Sequence, residues 1–351
     1  MTDLPADFDP DRPFGFREPG SQEWWYFDAI ADDGEYALVA VWYAGLPFDP
    51  SYGLAARRYL ADPARHPAPD PLDHAAIGFS LYRRGKTAAY ALNRYPADRW
   101  STVAEPFAVS LAGSQASRGA DGSYRLEVDT PSQDGKRSIR ADLTFRPAPG
   151  TRPIARDFGG SGGPHHWILA AGDCRVEGTV ALDGPRGLAI EFRGRGYHDH
   201  NAGVEELSLG WTRWRWGRVH AGSKTFVYYQ AEPKGGRPHS TWIVLEDGLP
   251  VEVRDGVSFE LQDWKRHPLG IRHARSLRLA GEGADGPRWR HRDLVDYGPF
   301  YLRWLSEFEV AGRTATGFAE LLEADRLHNP LFNWMIPFRL KRPQDGKPRG
   351  G

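Results

Sequence analysis

The sequence predicts an all-β protein built as two antiparallel barrel-like domains, and three observations carry that expectation. Glycine (40) and proline (28) make up nearly a fifth of the 351 residues, against a usual share of about 12%, which suits many short turns better than long helices. Aromatic residues are abundant, with 13 Trp, 14 Tyr and 17 Phe, and aromatics favour strands and bury large area. Apolar residues also recur at every second position. In Ser138–Arg146, Ile139, Ala141, Leu143 and Phe145 point one way while Arg140, Asp142 and Thr144 point the other. That period is the signature of a sheet with one buried face.

In chain order, residues 1–20 read as a loose N-terminal arm. Strand-like runs follow at Trp24–Ile30, Tyr36–Tyr43, Ala76–Tyr82, Phe107–Leu111, Tyr124–Val128 and Ser138–Arg146. Further on come Cys174–Leu182, Phe226–Gln230, Thr241–Leu245, Val257–Leu261, Ser276–Ala280 and Phe308–Val310. Asp33-Gly34, Asp121-Gly122, Asp134-Gly135, Asp183-Gly184 and Asp247-Gly248 fall between such runs, as hairpin turns require. The one short helical candidate is Leu54–Leu60. The Gly/Pro-rich stretch Pro147–Pro164 is the candidate linker. It divides the chain into a first barrel over 21–163 and a second over 164–342, with 343–351 as a tail; one continuous large barrel is the alternative.

Charge and cysteine content exclude several classes. Lys+Arg 45 against Asp+Glu 46 gives a net charge of −1, without the basic surplus of a nucleic-acid binder. Cys174 is the single cysteine, so neither an internal disulfide nor a thiolate metal cluster is expected. The acidic, proline-rich start carries no apolar run, and no stretch of about 18 apolar residues occurs. A cytoplasmic protein is expected. No Gly-x-Ser-x-Gly elbow, phosphate loop or dinucleotide fingerprint appears.

The chemistry concentrates in Gly194–Gly203 (GRGYHDHNAG). On a strand, Tyr197, Asp199 and Asn201 share one face, and His198 and His200 the other. The two imidazoles invite a metal, with His165 or His166 as third ligand, but no upstream Glu/His pair has ligand spacing, and no metal is expected. If the opposite face lines an apolar interior, desolvation raises the Asp199 pKa and lets it act as an acid. The bland alternative is a satisfied hydrogen-bond network closing a strand end. Trp214 and Trp216 follow closely, and indole faces stabilise cations within about 6 Å. Trp24, Trp25 and Tyr26, in the run Glu23–Asp28, repeat the combination of acids and aromatics and are candidate substrate-binding residues with Trp214 and Trp216.

An ordered series of motifs resembles the bacterial carotenoid 1,2-hydratase (hydroxyneurosporene synthase) family. It comprises Glu23–Ala29 (EWWYFDA), Asp73-His74, His166-Trp167 with Cys174–Glu177, Gly196–Gly203 and Trp214–His220 (WRWGRVH). Tyr297–Tyr301 and Asp325-Arg326 through Pro337–Arg339 complete it. The resemblance implies two lipocalin-like β-barrels and cofactor-free addition of water to the terminal double bond of an acyclic carotenoid. Asp199 is then the acid, Tyr197 and Asn201 orient acid or water, and Trp214 and Trp216 hold the cation. An isomerase or cyclase of the same superfamily, or a non-enzymatic binder of an apolar ligand, would use the same pocket. The expected partner is an apolar small molecule rather than nucleic acid. Leu331–Leu340 (LFNWMIPFRL), followed by Lys341 and Arg342, has the composition of a weak interfacial anchor at the inner membrane surface, or of a capping strand.

Overall fold

The computed structural model describes residues 4–5, 8–159, 163–184, 187–283, 286–327 and 329–342. Strands dominate, in one twelve-stranded and one nine-stranded antiparallel sheet plus a small ribbon. The five Asp-Gly pairs all join antiparallel neighbours, and each of their glycines has positive φ. That backbone is open to glycine at little cost, which is why the turns fall there. The one long helix, Pro50–Ala61, contains the anticipated Leu54–Leu60 and is capped by the Asp49 carboxylate, which accepts from Ser51 N at 2.9 Å.

Eight strands of the larger sheet curl into a nearly closed barrel. In spatial order they are Lys86–Tyr95, Ala75–Arg83, Tyr36–Ala44, Gln22–Ala31, Leu188–Gly203, Pro164–Leu182, Ser138–Pro147 and Tyr124–Pro131. The ends meet where Gln133 N donates to Tyr90 O at 2.7 Å and the Asn93 amide donates to Thr130 Oγ1 and Pro131 O at 2.8 and 2.7 Å. The interior is filled by Trp25, Phe27, Trp42, Phe79, Leu126, Phe145 and their neighbours. The nine-stranded sheet, with Trp211–Ala221, Arg313–Glu323 and Tyr301–Val310 near its middle, forms a half-barrel around a second core of Phe226, Trp242, Trp289 and Phe308. A third cluster, including Trp24, Tyr26, Trp167, Tyr197, Trp214, Trp216, Tyr229 and Leu322, lies between the two.

Three expectations on domain organisation need correction. The strands Pro164–Leu182 and Leu188–Gly203 pair with Ser138–Pro147 and Gln22–Ala31 in the first sheet, so the Tyr-x-Asp-x-Asn segment belongs to the first barrel, not the second. The supposed linker contains the strand Ile154–Gly159, which pairs antiparallel with Pro164–Leu182; residues 160–162 lie outside the described residues. The arm is not loose. Asp11 is fully buried and holds Arg118, Tyr124 and His198 at 2.7–2.8 Å, so the arm plugs one end of the barrel. The tail 343–351 lies outside the described residues. Leu331–Leu340 forms no strand; short helical turns at Pro330–Asn333 and Ile336–Phe338 take its place. Among the described residues, no helix is long and apolar enough to cross a membrane.

Candidate active site

Strand alternation decides which side chains reach the space between the barrels. Along Leu188–Gly203, Tyr197, Asp199 and Asn201 point outward from the first barrel and are covered by the half-barrel; His198 and His200 point into the first barrel's core. Gly196 makes the close packing possible, because a Cβ there would come within 2.6 Å of Phe145 and Val176.

Asp199 is 5% exposed and ringed by donors. Trp167 Nε1 and the Tyr197 hydroxyl both donate to its Oδ2, at 2.9 and 2.8 Å, and Asn201 Nδ2 donates to Oδ1 at 2.9 Å. Burial pushes its carboxyl up from 3.8 to about 7, against the opposing pull of Trp167 and Tyr197. Around this ring, Trp216 Nε1 donates to the Tyr197 oxygen at 3.4 Å, and His165 Nε2 stands 3.3 Å from Asn201 Oδ1. Burial drops the His165 pKa to about 4, so this imidazole is neutral near pH 7. A protonated Asp199 finds one lone pair in the ring, on the Tyr197 oxygen. Its proton is shared with that phenol or turned toward open space.

That open space is a chamber of about 40 Å³ lined by Trp24, Tyr26, Asp199, Asn201, Trp214, Trp216, Tyr229 and Glu320. A water needs roughly 10–15 Å³ on the same measure, so the chamber has more room than a single water takes. It adjoins a larger cavity of about 330 Å³, with Trp24, Tyr26, Trp214 and Glu320 lining both. The larger cavity is chiefly apolar and aromatic, walled by Val39, Val41, Tyr43, Phe48, Leu92 and Phe300 among others, and reaches Trp334, Met335 and Phe338 of the C-terminal turns. Trp24 and Trp214 stack at 6.1 Å and 27°. The arrangement offers a titratable acid at the end of an apolar tunnel, with indole faces beside it.

The structure therefore brings together Tyr197, Asp199, Asn201, Trp24, Tyr26, Trp214 and Trp216. Trp25 is elsewhere: it is fully buried in the first barrel, stacked on His200 at 4.6 Å, because it occupies the opposite parity of its strand. Both motif histidines have each ring nitrogen within hydrogen-bond distance of an oxygen. His198 meets Tyr26 O at 2.9 Å and Asp11 at 2.7 Å; His200 meets Pro10 O at 2.9 Å and Glu23 at 2.8 Å. All four ring nitrogens are thus engaged with protein oxygens, and among the described residues no group of three or more metal-ligating side chains gathers. Sequence reasoning passed over Trp167, Tyr229 and Glu320, and considered His165 only as a metal ligand. Trp167 appeared only within a family motif, and the other two come from strands of the second sheet with no local signal.

By fold, the chain is a two-barrel, lipocalin-like protein. A crystal structure provisionally assigned as AttH from Nitrosomonas europaea superposes with a TM-score of 0.64 at 16% identity, over 92% of this chain and 98% of that one. The sequence narrows the class further: the chain belongs to the carotenoid hydratase CrtC family, whose family model matches residues 42–348. It is a hydro-lyase of the carotenoid hydratase type. An acyclic carotenoid 1,2-hydratase of Thiocapsa roseopersicina is 30% identical over 356 residues, 96% of this chain and 78% of the relative. A protein of Chlorobaculum tepidum named hydroxyneurosporene dehydrogenase is 28% identical over 341 residues, 92% and 88% of the two chains.

Proposed function

We propose that the protein adds water to the terminal double bond of an acyclic carotenoid by acid catalysis without a cofactor, with Asp199 as the acid. One observation carries this: Asp199, which among the described residues is the first-barrel carboxyl lining the chamber, is buried there and its pKa is pushed up to about 7, where an acid can both hold and give up its proton at neutral pH. The apolar cavity takes the end of the polyene and presents its branched terminus to the chamber. The Asp199 proton adds to the less substituted carbon, leaving a tertiary cation between the faces of Trp24, Trp214 and Trp216. Tyr197 and Asn201 fix the carboxyl by their hydrogen bonds, and Trp167 steadies the carboxylate that the transfer leaves behind. Water then forms the tertiary alcohol.

The test is expression in a host accumulating lycopene or neurosporene, followed by assay of the purified chain in a buffer containing a strong chelator. Hydroxylated products at undiminished rate support the proposal. Isomerised or cyclised products would indicate the related chemistry, bound but unchanged carotenoid would indicate a binder, and restoration of lost activity by a divalent metal would overturn the cofactor-free mechanism.

Substrate of this kind resides in bilayers, and we place the point of collection at the C-terminal turns. Leu331, Trp334 and Phe338 are 73%, 63% and 66% exposed, Trp334 and Phe338 line the cavity, and Lys341 and Arg342 lie exposed just beyond them. Apolar side chains backed by cations suit an interfacial contact with anionic lipid.

A further inference from the structure

Besides the acid, hydration needs an acceptor for the proton that the water loses; the Asp199 carboxylate left by the first transfer is one candidate and a second carboxylate is another. The oxygen that attacks the cation arrives as water and must lose a proton. The indoles of the chamber offer no lone pair for it. Among the described chamber residues the carboxylates are Asp199, from the first barrel, and Glu320, from the half-barrel. Glu320 lies opposite Trp216 on one neighbouring strand and opposite Arg303 on the other. Its Oε1 accepts from Arg303 Nε at 2.7 Å and from the Tyr26 hydroxyl at 3.2 Å. Both bonds converge on that one oxygen, and among the described residues no hydrogen bond is made to Oε2. Arg303 is itself fixed, donating to Tyr82 OH at 3.0 Å and lying over the Tyr26 and Tyr301 rings at 5.8 and 5.3 Å. The Arg303 guanidinium, itself buried, stands as a counter-charge beside Glu320.

We propose that Glu320 is the water-binding carboxylate of the reaction: it holds the attacking water across the chamber from Asp199 and accepts the proton that water loses. This rests on Asp199 being the acid. In the balanced step, the π pair of the alkene takes the Asp199 proton to form a C–H bond. A water lone pair forms the C–O bond at the tertiary carbon, and one O–H bond of the resulting oxonium breaks to Glu320. The products are the tertiary alcohol, an Asp199 carboxylate and a Glu320 carboxylic acid; exchange with chamber water returns the proton to Asp199. Because an oxonium is a far stronger acid than any carboxylic acid, a carboxylate paired with a guanidinium is basic enough. A division of labour between two carboxyl groups in unlike surroundings is a recurrent solution for such chemistry.

The experiment uses the full chain with lycopene in detergent in D2O, following both the alcohol and deuterium incorporated into recovered alkene by mass spectrometry. Deuterium enters the alkene when Asp199 delivers a deuteron and the cation, before water is captured, breaks a different C–H bond, at the same carbon after rotation or at a methyl group, and returns that proton to the carboxylate. Glu320→Gln should lower alcohol formation by about 10²-fold while wash-in persists, so the ratio of exchange to hydration rises by a similar factor. Glu320→Asp, which keeps the charge beside Arg303 but withdraws it from the water, should move the ratio the same way by less, and carries the test if the glutamine variant does not fold. An unchanged ratio in a folded Glu320 variant overturns the proposal. Asp199→Asn separates the two assignments: it should abolish exchange and hydration together, and exchange at the wild-type rate would refute the acid without reference to Glu320.

Discussion

Asp199→Asn is the most informative single change, because it separates protonation from shape and has two readouts of independent origin. The amide can still accept from Trp167 and Tyr197 through its oxygen, and a flip of Asn201 lets its oxygen receive the new N–H. Folding should survive, at a cost of about one neutral hydrogen bond, ~1 kcal/mol. The carboxyl of the folded protein titrates at about 7 rather than 3.8, so the native state holds a proton that the unfolded chain releases between those values. Its contribution to stability is fully present below about pH 4 and is lost as pH rises through 7. At about 1.4 kcal/mol per tenfold change, that is roughly 4 kcal/mol. The variant has no such proton, so its stability relative to wild type should improve by about that amount between pH 4 and pH 8, visible in urea titrations at the two pH values. Turnover should fall by 10²–10⁴-fold or more without loss of carotenoid binding. Activity within tenfold of wild type, or parallel stability curves across that window, would refute the assignment.

Other expectations follow from neighbouring groups. With Asp199 active as the acid, kcat/KM should decline tenfold per pH unit above about pH 7. Trp167→Phe removes a donor that favours the carboxylate and should move that limb to higher pH; a shift downward would contradict the hydrogen-bond assignment. Arg218 and Asp28 form an ion pair with both side chains fully buried between the barrels. Arg218→Ala should therefore destabilise the fold by about 3–5 kcal/mol, most of it recovered on adding Asp28→Leu, as judged by thermal unfolding. Replacing Leu331, Trp334 and Phe338 together with serine should reduce sedimentation with anionic vesicles in a chain that remains folded by thermal unfolding. Equal sedimentation would remove these turns as the lipid contact.

What the sequence alone determined is what depends on local geometry. Alternation at every second residue placed Tyr197, Asp199 and Asn201 on one face and His198 and His200 on the other, and that partition holds whatever the strand packs against. Asp-Gly pairs located five hairpins for the same reason, since a positive φ is a property of the turn itself. The sequence could not say what covers either face. The polar trio lies outside a barrel rather than within one, and is buried because a second sheet closes over it. Trp25 and Trp24 look equivalent in a run of four aromatics, yet only strand parity against a particular neighbour sends Trp24 to the cavity and Trp25 to the core. Turn-rich residues 147–164 looked like a domain boundary because glycine and proline mark loops and hairpins alike. Pairing with Pro164–Leu182 made part of that stretch a strand and moved the strand that carries Asp199 into the first barrel. Trp167, Glu320 and Arg303 reach the chamber through register between strands distant in sequence. The Asp199 pKa is likewise set by how completely the two sheets exclude water, a property of their association that no local pattern encodes.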